Sequence, residues 1–147
     1  MTEAQAQLEA FLAKYTPDVA ETGRAAIARM QALLPACDAL VYDNYNALAV
    51  AFSFDGKTGS AFCSVALYPR WVSLFVSAKL DDPHGLLEGG GSSLRHHKLR
   101  GGASDLDRPE VRALIDQSIA RAEPYLVAGR QGHLVIKSIS AKQRPRQ

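Results

Sequence analysis

The sequence is poor in cysteine, the residue that forms the disulfides of small secreted proteins and many structural metal sites. It has two cysteines among 147 residues, and Cys37 and Cys63 lie far apart among apolar or small neighbours. Because this spacing forms no C-x-x-C pair, we expect two buried free thiols. No apolar run approaches the length of a membrane-spanning helix, and the amino-terminal residues form no signal-like apolar core. These absences predict a cytoplasmic protein without a membrane partner.

Motifs that commonly carry catalysis or phosphate binding are also absent. The chain has no G-x-x-x-x-G-K-[ST] phosphate loop and no G-x-S-x-G nucleophile elbow. The nearest approach to a nucleophile and base is Ser92 or Ser93 beside His96 or His97, so a hydrolase or transferase is poorly supported. The sequence therefore predicts a non-enzymatic binding module.

The charge of the chain is small in total but unevenly distributed. The formal charge is +2, yet residues 1–94 carry 6 basic and 10 acidic side chains, whereas residues 95–147 carry 11 and 5. Such charge asymmetry suggests a surface that binds an anion or an acidic protein partner. We expect residues 1–140 to form one domain and residues 141–147, with Lys142, Arg144 and Arg146, to form a flexible basic tail.

Hydrophobic periodicity predicts three helices and a sheet. Thr2 caps the first helix, Thr16-Pro17 starts a second that reaches about Leu34, and a third runs from Pro109 to about Ala128. Alternating residues predict strands at Ala39–Tyr42, Ala47–Phe54, Ser60–Tyr68, Trp71–Ser77, Leu94–Leu99 and His133–Ile139. The expected fold is α+β, with an antiparallel sheet packed against two N-terminal helices and one C-terminal helix.

The stretch Leu86–Leu99, LLEGGGSSLRHHKL, is the densest run of candidate binding chemistry. Glycine amides, hydroxyls and cations can together hold a small anion such as phosphate. The candidate anion-binding residues are Gly89, Gly90, Gly91, Ser92, Arg95, His97, Lys98 and Arg100. The alternative is a mobile glycine loop followed by a solvated basic strand edge. Nucleic acid is an unlikely partner, because aromatic residues are not interleaved with the basic run.

Two neighbouring strands carry aromatic side chains in addition to their core-facing residues. Phe62, Tyr68, Trp71 and Phe75 are expected to form a patch opposite the face that packs on the helices. A large apolar patch needs either a covering layer or a partner. We therefore expect this patch to be covered within the chain, to join two copies in a homodimer or to dock another partner.

Five motifs follow one another between the first helix and the last. They are YDNYNA at Tyr42–Ala47, the Asp55-Gly56 hairpin, YPRWVSLFVS at Tyr68–Ser77, LLEGGGSSLRHHKL at Leu86–Leu99 and RPEVRALI at Arg108–Ile115. In this order they resemble the YdhG-like domain family, over roughly Leu8 to Ala128. The resemblance implies a compact α+β domain, in a family that is mostly without assigned function.

One branch of that family is described as frataxin-like intracellular iron chaperones, so the resemblance implies possible iron binding or delivery. The residues of this chain that offer oxygen and nitrogen ligands for such a role are Asp81, Asp82, His84 and Glu88. A metal-binding module and an anion-binding or protein-interaction module are thus the two competing functions.

Overall fold

The computed structural model describes all 147 residues as three helices and a six-stranded sheet. The helices are α1 (Glu3–Leu12), α2 (Pro17–Leu33) and α3 (Pro109–Ala122). The strands are β1 (Asp38–Asp43), β2 (Leu48–Ser53), β3 (Cys63–Leu67), β4 (Val72–Ser77), β5 (Leu94–Lys98) and β6 (Leu134–Ile139). The predicted α+β class and the arrangement of two N-terminal helices and one C-terminal helix are confirmed.

The sheet has the strand order β5-β4-β3-β2-β1-β6, and its last strand runs parallel to its neighbour. The five strands from β1 to β5 are antiparallel as predicted, whereas β6 pairs parallel with β1. A parallel neighbour requires a crossover connection, and the chain supplies one through α3. The sheet is therefore mixed rather than wholly antiparallel.

Local sequence signals explain the helix ends. Thr2 and Gln5 form a reciprocal capping box at the start of α1, and Pro17 occupies the first turn of α2. The third helix ends at Ala122, earlier than predicted, and residues Glu123–Tyr125 continue as a 3-10 turn. Pro124 accounts for the difference, since proline has no N–H to donate to the preceding turn. None of the three helices combines the length and the apolar character that crossing a bilayer needs.

The hydrophobic core lies between the helices and one face of the sheet. Its centre includes Leu12, Met30, Phe52, Leu74 and Ile115, which are almost fully buried. At Gly23 in α2 a Cβ atom would overlap the side chain of Leu67 on β3, so the absence of a side chain lets the helix lie close to the sheet.

The two cysteines border this core. Both Cys37 and Cys63 are free and buried, as expected. Burial raises the pKa of the Cys37 thiol to about 12 and raises that of Cys63 as well. The thiols therefore stay protonated, and neither is an activated nucleophile near neutral pH.

The opposite face of the sheet carries small residues along its central strands. Successive strand residues point to opposite faces, so the residues between the core-facing positions lie on this open face. The small ones are Ala49 and Ala51 on β2, Ser64 and Ala66 on β3, and Ser73 on β4. Cross-strand pairing places Ala49 beside Ala66 and Ala66 beside Ser73. Because these side chains are short, the middle of the open face is recessed.

The residues after β6 differ from the predicted flexible tail. Arg146 is 5% exposed, and its Nη2 atom lies 2.9 Å from the Asp43 Oδ1 atom. The other carboxylate oxygen of Asp43 accepts from the Lys14 ammonium at 2.8 Å, while the Arg144 N–H donates to the Tyr45 carbonyl. These contacts fix the segment against the β1–β2 turn, because a buried carboxylate needs cationic partners.

The ion pairs of Asp43 predict acid sensitivity. Burial alone would raise the pKa of Asp43, but hydrogen bonds from Lys14, Gln143 and Arg146 outweigh it, and the pKa is lowered. The resulting stabilisation is complete above the unfolded-state pKa of about 3.9 and is lost as the pH falls through the folded-state pKa.

We therefore expect the unfolding free energy in urea to fall as the pH is lowered from about 5 to about 2, and to fall less in Asp43→Asn than in the parent. Asp116→Asn is the matched control, because Asp116 is exposed and forms no ion pair. An equal fall in the parent and in Asp43→Asn would show that Asp43 does not carry this pH dependence.

Candidate ligand-binding groove on the open face of the sheet

Two adjoining cavities form a groove across the open face of the sheet. The first cavity, of about 510 Å³, is bordered by Tyr45, Tyr68 and Phe75 and has Ala49, Ser64 and Ala66 among its lining residues. The second, of about 550 Å³, continues past Tyr68 to Trp71 and Arg144. Both cavities also contact Asn46. We call the two together the open-face groove, and each has the size of a small-molecule site.

Strand register assembles the aromatic wall of the groove. Tyr68 and Trp71 flank the turn between β3 and β4, and their rings stack with centroids 5.1 Å apart. Phe75 pairs across the strands with His96 on β5, and these rings are 5.3 Å apart. Stacked and tilted rings at these separations attract one another beyond simple burial. The wall is therefore partly ordered before any ligand binds.

Two cations lie over the aromatic rings of the groove. The Lys98 Nζ atom is 4.4 Å from the centre of the Trp71 ring, and the Arg144 guanidinium carbon is 5.6 Å from the centre of the Tyr45 ring. Both separations fall within cation–π range. Neither cation has a carboxylate within ion-pair distance, in contrast to Lys14, Arg100 and Arg146. The groove thus carries net positive charge beside flat apolar surfaces.

A buried hydroxyl without a partner lies on the same face. Ser73 is fully buried between Trp71 and Phe75 on β4, directly across from Lys98. Its Oγ atom makes no hydrogen bond. A buried hydroxyl normally finds a partner, because leaving it unpaired costs about 1–3 kcal/mol. Ser73 lines neither cavity of the groove, so this hydroxyl lies beneath the surface of the open face.

The predicted anion-binding residues of the glycine-rich stretch do not lie together in the fold. The Arg95 Nε atom donates to the Gly91 carbonyl, and Arg100 pairs with Glu88. His97 is buried on the helix side, with its Nδ1 atom 3.3 Å from the Leu86 carbonyl. Gly89, Gly90, Gly91 and Ser92 lie at the exposed end of the hairpin that Glu88 and His96 close.

Of the predicted set, Lys98 is the cation that reaches the open-face groove, where it contacts Trp71. The alternation along β5 separates the two histidines as expected, with His96 on the open face and His97 buried. Neither histidine has a hydrogen bond to Ser92 or Ser93; His96 lies 3.5 Å from Glu88 instead. The nucleophile and base that a hydrolase needs are therefore not assembled in this hairpin.

The four candidate metal ligands do not converge. Both carboxylate oxygens of Asp82 accept backbone N–H groups, from Leu86 and Leu87 at 2.9 Å. Glu88 is engaged by Arg100, whose hydrogen bond lowers the pKa of the carboxyl group. Asp81 and His84 are exposed, and no three acidic, histidine or cysteine side chains of the chain are placed to hold a metal ion together. The backbone and an arginine occupy two of these carboxylates, so the four residues form no metal site in this arrangement, and metal binding by them stays a prediction.

The predicted aromatic patch is present without one of its members. Tyr68, Trp71 and Phe75 line the open-face groove, whereas Phe62 stacks on Phe54 at 4.9 Å beside the core. The 3-10 turn at Thr58–Ser60 precedes a shorter β3 than predicted, so the alternation of that strand does not extend back to Phe62. Association of two copies through the remaining patch stays a prediction.

Sequence reasoning missed the other side of the groove. Tyr45 and Arg144 are 99 residues apart and meet because the segment after β6 returns to the β1–β2 turn. No periodic pattern in the sequence predicts a contact between residues so far apart. The alternating alanines of β2 were a usable signal for the recessed floor, since small residues on one strand face leave space above it.

Comparisons with family models, with curated proteins and with solved structures gave no match for this chain.

Proposed function

We propose that this protein is a binding module for organic anions that carry a flat ring, and that such a ligand lies in the open-face groove. One observation supports the proposal most strongly: Lys98 and Arg144 each lie over an aromatic ring of the groove and have no carboxylate partner. A flat anion suits both features, since its ring stacks on aromatic side chains and its charge pairs with the cations.

Binding would exchange one contact of Lys98 for a stronger one. At a half-exposed site the cation–π contact with Trp71 is worth about 0.5–1 kcal/mol. A hydrogen bond between the ammonium group and an anion contributes about 1.5–3 kcal/mol. The exchange is favourable, and a displaced Lys98 side chain would free one face of the indole ring.

The composition of the groove favours a ligand that is flat and partly polar. Ala49 and Ala66 keep the floor low enough for a ring to enter, while Asn44, Asn46 and Ser140 border the same cavity with polar groups. A small number of polar groups around an apolar recess is typical of small-molecule sites, where they fix the orientation of the ligand. The groove therefore distinguishes ligands by shape as well as charge.

Three probe molecules separate the contributions of ring and charge. We expect 1-naphthoate to bind saturably in isothermal titration calorimetry. Cyclohexanecarboxylate, which has the charge without the flat ring, and 1-naphthylmethylamine, which has the ring with the opposite charge, should bind much more weakly. Lys98→Gln and Arg144→Gln should each weaken naphthoate binding roughly fivefold to tenfold, which corresponds to about 1 kcal/mol.

Matched controls are Lys137→Gln on β6 and Lys142→Gln, since both lysines are exposed and lie outside the groove lining. They should bind 1-naphthoate as the parent does. Binding of the amine as tight as that of the acid, or naphthoate affinity unaltered by Lys98→Gln and Arg144→Gln together, would refute the proposal.

A further inference from the structure

A third cavity continues the open-face groove on the far side of Trp71. It measures about 330 Å³ and is bordered by Trp71, Arg70 and Arg100, with Asp18 and Thr22 contributed by α2. Trp71 is 37% exposed and lines both this cavity and the groove, so its side chain forms the ridge between them. Val72 and Leu99 also line the third cavity, which therefore lies on the helix side of the β4 end, and Trp71 is the one residue that it shares with the groove. We call the three cavities together the track.

Cations follow the track from end to end. Arg144 lies at the groove, Lys98 lies over Trp71, and Arg70 and Arg100 line the third cavity. Arg70 has no carboxylate partner, and Arg100 has an exposed pair with Glu88 at 3.2 Å. Asp18 is the one carboxylate among the lining residues of the three cavities. A single small anion in the groove would leave the far pair of arginines unused.

We propose that the ligand of this track is a single-stranded nucleic acid, whose bases stack in the open-face groove and on Trp71 while its phosphates follow the cations. This inference rests on the proposed function, because a nucleobase attached to a phosphate is one kind of flat organic anion. It adds the third cavity and a ligand longer than a single ring.

The interleaving of rings and cations supports a strand rather than a duplex or an acidic peptide. Surfaces that bind single strands combine aromatic side chains, which stack on bases, with a positive groove that follows the backbone. Cross-strand pairing creates this combination here, since β4 carries Phe75 beside His96 of β5, and Lys98 of β5 reaches Trp71 next to β4. Bases within a duplex are stacked on each other and cannot enter the recess, and an acidic peptide has no flat group at each step.

The salt dependence of binding tests the inference directly. The probe is a fluorescein-labelled oligothymidylate of about ten nucleotides, within the usual range of single-strand sites. We expect its affinity, measured by fluorescence anisotropy between about 50 and about 200 mM salt, to fall with a log–log slope of about −2 to −3 as three or four phosphates are neutralised. Arg70→Gln should reduce the steepness of this slope by about 0.7.

Variants separate this inference from the proposed function. Arg70 lines the third cavity and not the open-face groove. Arg70→Gln should therefore weaken the binding of the oligothymidylate and leave 1-naphthoate binding unchanged. Lys98→Gln should weaken both ligands. Arg121→Gln is the matched control, because this exposed arginine borders a different cavity at the end of α3. Circular dichroism of each variant verifies that the fold is retained.

Each remaining outcome has a defined meaning. If thymidine monophosphate and 1-naphthoate bind in the groove but the oligothymidylate binds no tighter than the monophosphate, the single-strand inference is overturned and the proposed function stands. Equal affinity for a duplex of the same length, or an oligothymidylate affinity unaffected by both Arg70→Gln and Lys98→Gln, also overturns it. Failure of all three ligands to bind removes the proposed function as well.

Discussion

An Arg146→Ala variant is expected to lose about 3 kcal/mol of unfolding free energy, at the lower end of the range for breaking a buried ion pair. The side chains of Arg146 and Asp43 are 3% and 0% exposed, with 2.9 Å between their charged atoms. The substitution leaves the carboxylate buried with Lys14 as its remaining cation, and Lys14 itself is 41% exposed. Hydrogen bonds from the guanidinium to the Asn44 and Tyr45 carbonyls are lost as well.

Urea unfolding followed by circular dichroism measures this loss. Arg144→Ala is the control from the same segment, because Arg144 is exposed and has no ion pair; we expect it to cost less than about 1 kcal/mol. Arg146→Ala should also weaken 1-naphthoate binding, because Arg146 and the Arg144 N–H both hold the Tyr45 carbonyl at the groove. Equal stability of the two variants would mean that the segment after β6 does not hold the β1–β2 turn.

A Gly132→Ala variant is expected to lose about 3 kcal/mol or more, the upper end of the cost of overpacking. A Cβ atom at this position would overlap the backbone carbonyl of Cys37, which cannot rotate away as a side chain can. The Gly132 N–H donates to the Pro35 carbonyl at 2.9 Å, and the next residue, His133, accepts from the Ala39 N–H. Alanine would therefore push the start of β6 away from β1.

Gly59→Ala is the matched control for this second substitution. Its Cβ would meet no atom within 4 Å, and its backbone does not require a positive φ. We expect its thermal midpoint to stay within a few degrees of the parent, whereas that of Gly132→Ala should fall by more than about 10 °C. A thermal midpoint of Gly132→Ala close to that of Gly59→Ala would contradict the close approach of β6 and β1.

The periodic parts of the chain were predictable because their signals are local. Thr2, Thr16 and Pro17 mark helix starts, and the alternation of β2 and β4 follows from burial of one sheet face. The parallel pairing of β6 was not predictable in this way, since alternation gives the face of a strand and not its direction. Its position at the β1 edge depends on the crossover through α3.

Proximity in the sequence does not bring the candidate metal ligands together in the fold. Asp81, Asp82 and Glu88 are close in sequence, yet the Asp82 carboxylate caps the backbone of its own loop and Glu88 pairs with Arg100 across the hairpin. Polar side chains in short loops often bond their own backbone, and this removes them as ligands.

The sequence predicts that nucleic acid is an unlikely partner, and this stays a prediction. The basic run of β5 contains no aromatic residue. In the fold, however, the Phe75 ring of the neighbouring strand contacts His96, and the Trp71 ring contacts Lys98. Interleaving of this kind arises from cross-strand register, which a single sequence does not specify when both strand faces are partly apolar. Tyr45 and Arg144 form the other wall of the groove, and the buried ion pair between Arg146 and Asp43 holds their segment in place. The composition of that segment predicts only a solvated basic tail.

The most direct test of the open-face groove is an NMR titration of the isotope-labelled protein with 1-naphthoate. Trp71 is the only tryptophan, so its indole N–H gives a single, readily assigned signal at the groove. We expect saturable shifts of this signal and of the Ala49 and Ala66 amides, with the amides of Gly89–Gly91 unchanged. Shifts concentrated at Gly89–Gly91, or no saturable shift at Trp71, Ala49 and Ala66, would contradict the groove as the binding site.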